Sequence, residues 1–81
     1  MDKKIDCKII REIAVLSSKY NGWQLELNEV SWNGGAPKLE VRHWGPNHER
    51  CDKGITLTQE EADFLKRFLW AQYYRETEIT P

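Results

Sequence analysis

A chain of 81 residues, 40% hydrophobic and 31% charged, makes one small folded domain over residues 1–81 and excludes a disordered polar chain. Twelve Lys and Arg against 13 Asp and Glu give a formal net charge of −1. That balance argues against an indiscriminate polyanion binder, but leaves room for a local basic stripe, because charges act within a Debye length of about 8 Å. No run reaches the roughly 18 apolar residues of a membrane-spanning helix, and the start MDKKIDCK lacks the apolar stretch of a signal peptide. The reading is a cytoplasmic protein with Cys7 and Cys51 as free thiols, short enough to complete its burial by dimerising.

The first element, KIDCKIIREIAVL, fits two patterns. Ile5, Ile9, Ile13 and Leu16 suit a helical face; Ile5, Cys7, Ile9, Ile13 and Val15 suit a strand broken at Arg11, and the β-branched content favours the strand. SSKYNG is a turn, with Asn21-Gly22 supplying positive φ. WQLELNEVSW then alternates, with Trp23, Leu25 and Leu27 on one face. The parity changes before Val30 and Trp32, and a bulge near Asn28-Glu29 would restore them to that face. NGGAP is a second turn. KLEVRHW is a third strand, with Leu39, Val41 and His43 on one side and Lys38, Glu40, Arg42 and Trp44 on the other. GPNHERCD is a polar loop, and KGITL a short fourth strand with Ile55 and Leu57 inward.

The last element is a helix announced by the capping box TQEE, Thr58 at the N-cap and Glu61 three residues on. Its apolar positions form two stripes, Ala62-Leu65-Leu69-Tyr73 and Phe64-Phe68-Ala71, wider than one sheet needs. The spare stripe predicts a dimer interface at Phe64, Leu65, Phe68 and Leu69. The predicted elements are strands at about 4–16, 22–33, 38–44 and 53–57 and a helix at about 59–75.

His43, His48, Cys51 and Asp52 offer metal-ligand types, but their spacing lacks the paired signature of a zinc module, so no metal is expected. Cys51 with His48, or Glu49 with Asp52, could be written as catalytic pairs. Four strands and one helix leave little room for a deep pocket, and no glycine-rich phosphate loop or nucleophile elbow is present. The chain therefore reads as no enzyme, with no cofactor and no small-molecule substrate. The face Lys38-Glu40-Arg42-Trp44 says more. It lines up two cations and an aromatic, with Glu40 as an opposing charge, and Arg50 and Lys53 add positive charge nearby. Phosphate-tracking cations beside stacking aromatics are what single-strand binders combine. The plain alternative is an aromatic covering a sheet edge among solvated cations.

VSWNGGAPKLEVRHW followed by KGITLTQEEADFL resembles the positive cofactor 4 family of transcriptional coactivators, its bacterial YdbC-type branch above all. The likeness runs from about Lys4 to Leu69. Its most specific parts are Gly22 to Asn33 and Lys53 to Leu57. The resemblance implies an α+β fold, a curved four-stranded antiparallel sheet followed by one C-terminal helix, with the N-terminal element a strand. It implies a homodimer built through the helix and neighbouring strands. It also implies binding of single-stranded DNA with little sequence preference, in transcription or other DNA transactions. The contacts it implies fall on Trp32, Lys38, Arg42, Trp44, Arg50 and Lys53. The spacing from Arg42 to Trp44 is one residue shorter than in eukaryotic members, and the tail WAQYYRETEITP matches nothing in the family pattern. Two readings stay open: a dimeric binder of single-stranded DNA or RNA, and a protein-interaction module using the same aromatic and basic sheet face.

Overall fold

The computed structural model describes residues 6–79, with side chains through residue 73. Four strands, β1 (Cys7–Ser18), β2 (Gln24–Trp32), β3 (Lys38–Trp44) and β4 (Cys51–Leu57), form one antiparallel sheet in the order β1-β2-β3-β4, and α1 (Gln59–Ile79) follows. The fold is α+β, as the pattern predicts. Residues 4 and 5 of the predicted first strand lie outside the described residues. β1 runs on to Ser18 with a register irregularity between Ile9 and Arg11, where the sequence pattern breaks, β4 starts two residues earlier than predicted, and α1 continues past Arg75 to Ile79.

Local chemistry sets the connections. Asn33 (φ 52°) and Gly34 (φ 76°) occupy the left-handed region, and Gly35 N donates to Trp32 O at 2.9 Å. That is the tight turn an Asn-Gly pair favours. Thr58 Oγ1 accepts from Glu61 N at 3.0 Å while Glu61 Oε1 accepts from Thr58 N at 2.8 Å, so the capping box closes in both directions.

The parity change in the second strand has a different origin from the bulge expected near Asn28-Glu29. β2 pairs with β3 without interruption from Gln24↔Trp44 to Val30↔Lys38. The extra residues sit on β1, whose register against β2 slips between Ile9 and Arg11, Glu12 and Ala14, and Val15 and Ser17. Ile10, Ile13 and Leu16 are the unpaired residues. β2 therefore keeps strict alternation, and Val30 and Trp32 face away from Leu25 and Leu27.

The sheet has two unlike faces. One carries Leu25, Leu27, Leu39, Val41, Ile55 and Leu57. The other carries Glu26, Asn28, Val30, Trp32, Glu40, Arg42 and Trp44. The second, polar face is the one buried within the chain: Glu40, Val30, Asn28, Glu26 and Trp44 are all inaccessible. The first, apolar face is half open. Ile55, predicted to point inward, lies on it and is 63% exposed. α1 meets this face chiefly through β3 and β4, leaving a groove of about 300 Å³ lined by Leu27, Leu39, Leu57, Ala62, Leu65 and Leu69. Phe64, Leu65, Phe68 and Leu69 are exposed along the helix.

Candidate functional site

The polar face is organised by one carboxylate. Glu40 sits mid-strand on β3, where alternation turns it to the same side as Arg42, and it is fully buried. Isolated, such a charge would be severely penalised; here both oxygens accept hydrogen bonds. Arg42 Nε donates to Oε1 at 2.7 Å, and Arg42 Nη2 to Oε2 at 3.2 Å. Trp32 Nε1 donates to Oε2 at 2.7 Å, and Thr56 Oγ1 at 3.1 Å. The donors come from β2, β3 and β4, so the group ties three strands together. Burial alone would push the Glu40 carboxyl up. The hydrogen bonds from Arg42 and Trp32, the Arg42 charge and Thr56 together outweigh it, and the carboxyl sits below the ordinary carboxylate range.

Arg42 is equally committed. Its bond to Glu40 raises its own pKa against the opposing effect of burial. Its third nitrogen, Nη1, donates to Asp52 O at 2.9 Å on β4. The guanidinium lies 4.9 Å from the centroid of the Trp32 ring, a cation–π contact. Gly54, paired with Arg42 across the strands, makes room for this: a Cβ there would come within 2.6 Å of Arg42 Cβ and of Val41 O.

The predicted site residues fare differently. Trp32 and Arg42 are brought into direct contact, with Trp32 partly exposed. Lys38 shares their face and is exposed, opposite Val30. Trp44, expected as an exposed stacking ring, is 3% exposed, and its Nε1 makes no hydrogen bond. It packs edge-on to His48 with ring centroids 5.5 Å apart. Arg42, expected to meet phosphate, is engaged by Glu40 instead. Arg50 is exposed in the β3–β4 connection, where its carbonyl accepts from Gly45 N at 2.8 Å. Lys53 is exposed beside a register slip in which β4 carries one more residue than β3, opposite His43.

A second polar group lies at the other end of the face. Glu26 accepts from Asn28 Nδ2 at 2.9 Å, and its two oxygens lie 2.9 and 3.1 Å from His48 Nε2. This clasp anchors the β3–β4 connection, where Asn47 and His48 both adopt left-handed backbone. Alternation places Glu26, Asn28 and Glu40 on one face and the unbroken β2–β3 register sets them side by side, but their burial is visible only in the folded chain. Among the described residues no three His, Cys, Asp or Glu side chains gather as a metal site. Both cysteines are free thiols; burial, first, and the neighbouring Cys51 push the Cys7 thiol up, away from the reactive thiolate.

No family model matches the chain. Over 62 residues it is 40% identical to an uncharacterized protein of Treponema pallidum (strain Nichols), a match covering 76% of this chain and 73% of that relative. At that identity and coverage, the chain belongs to the same family as the uncharacterized Treponema pallidum protein.

Proposed function

We propose that the chain is a homodimeric binder of single-stranded DNA with little sequence preference, acting in the cytoplasm in transcription or other DNA transactions. The observation that carries this reading is Trp32. It is a partly exposed indole, braced from behind by Glu40 and Arg42, on a sheet face that also presents Lys38. A braced aromatic beside exposed cations is a stacking platform for unpaired bases. In this reading base stacking falls to Trp32. Phosphate contacts fall to Lys38, Arg50 and Lys53, while Arg42 shapes the platform from within and Trp44 packs on His48 at the far end of the face. The likeness to positive cofactor 4 proteins supports the same assignment.

The open apolar face supports the dimer. A helix exposing Phe64, Phe68 and Leu69 beside a groove lined by Leu27, Leu39 and Leu57 leaves apolar surface that a second copy would cover. The test is a titration of labelled oligothymidine at two salt concentrations, with a matched duplex as competitor. Binding that weakens with salt and prefers the single strand is the expected result. No binding at low salt overturns the proposal in favour of a protein-interaction module. A tenfold preference for oligouridine over oligothymidine would redirect it to RNA.

A further inference from the structure

We infer that Glu40 is a positioning residue for Trp32: the buried carboxylate fixes the orientation in which the indole meets a base. The inference rests on the stacking role proposed for Trp32, and it explains how that role is built. A tryptophan at the end of a strand, with part of its ring in solvent, ordinarily samples several rotamers. Here three constraints act on it. Its N–H points into a buried carboxylate at 2.7 Å, where no water competes. One ring face is covered by the Arg42 guanidinium at 4.9 Å. That guanidinium is itself held at both ends, by Glu40 on β3 and by the Asp52 carbonyl on β4.

The chemistry chosen for this group argues for orientation. A buried ion pair is often no more stabilising than apolar side chains of the same size. Geometry is what it supplies: Oε2 alone receives Trp32, Thr56 and one Arg42 nitrogen, so the carboxylate cannot turn without breaking all three contacts. Glu40 neutralises Arg42 at the same time, so the platform offers a ring more than a charge. Preorganising the ring before the base arrives removes an ordering cost from binding.

The positioning role and simple electrostatics predict opposite signs. By electrostatics alone, removing a negative charge beside a polyanion site relieves repulsion and tightens binding. If Glu40 positions Trp32, Glu40→Gln weakens it. The experiment uses the full chain with ¹⁵N-labelled tryptophan, in the parent, Glu40→Gln, Thr56→Val, Trp32→Phe and the Trp32→Phe/Glu40→Gln double variant. The readouts are the indole N–H resonance and its exchange with water, then oligothymidine affinity, with folding checked by circular dichroism. The parent Trp32 indole proton should be protected from exchange, and Thr56→Val and Glu40→Gln should each expose it. Glu40→Gln should weaken oligothymidine binding about tenfold, within the range of one stacked base. In the Trp32→Phe background it should then change affinity by no more than about twofold, a departure from additivity that marks the two residues as coupled.

An unprotected Trp32 indole proton in the parent overturns the inference, whether or not Glu40→Gln folds. So does a folded Glu40→Gln protein that binds more tightly, or one whose loss of affinity persists undiminished without the indole. Should the parent fail to bind oligothymidine at all, the nucleic-acid reading falls. The indole exchange data then decide the positioning role independently.

Discussion

Glu40 is a carboxylate that must stay ionised for its neighbours to stay in place. Its folded pKa lies below the ordinary value of about 4.3, so the unfolded chain takes up a proton first as pH falls. The stabilisation is therefore complete above the ordinary carboxylate range and is lost as pH drops through the lowered folded value. Urea midpoints measured from pH 7 down to pH 3 should fall steeply in the parent and less steeply in Glu40→Gln. Arg42 and Lys38 should separate cleanly. Arg42→Ala strands a buried charge and should cost about 3–5 kcal/mol in urea unfolding. Lys38→Ala should leave stability within about 0.5 kcal/mol and lower the salt slope of oligothymidine binding by about 0.7. Alternation in KLEVRHW was enough to put Lys38, Glu40, Arg42 and Trp44 on one face. It could not show that Glu40 and Trp44 are buried there. Their neighbours, Trp32 against Glu40 and His48 against Trp44, lie on another strand and in the β3–β4 connection, and only the folded chain brings them there.

At the scale of elements, signals confined to a few neighbouring residues were legible and those set between strands were not. The Thr58–Glu61 capping box and the Asn33-Gly34 turn stand in the structure as the sequence pattern predicts, because each is a local exchange of hydrogen bonds. The bulges were misplaced. Isoleucines at 9, 10 and 13 are equally good strand residues, so nothing local says which one goes unpaired. β4 shows how closely one element depends on its neighbour. Gly54 lies under the Arg42 side chain with no space for a methyl group. Gly54→Ala should push β4 from β3 and cost about 1–3 kcal/mol, the usual range for overpacking. Thermal melts should show the loss, and the Arg42–Asp52 contact should be the first to open.

The molecule as a whole is stretched. Its radius of gyration is 15.2 Å, against about 12 Å for a compact domain of this length. The helix stands out along a sheet face it covers only in part, and among the described residues Val30 and Trp44 are the buried apolar side chains. With so small an apolar core, the proposed dimer would couple folding to association. The melting temperature should rise with protein concentration, and light scattering at tens of micromolar should give twice the 9.6 kDa chain mass. Phe68→Lys, placing a charge on a residue that is 68% exposed in the single chain, should shift that mass toward the monomer and abolish the concentration dependence. The long outer strand β1 also bears on how these chains coexist at high concentration. Its run CKIIREIAVLSS has the composition of a fibril-forming segment, and it lies at the rim of the sheet. An incoming chain must match residue for residue along such a rim in order to grow a fibre. With Ile10, Ile13 and Leu16 each standing out of the ladder, no more than three successive residues of β1 keep step with a straight neighbour. The irregular spacing thus withholds a template that the same amino acids, laid flat, would offer to every passing copy.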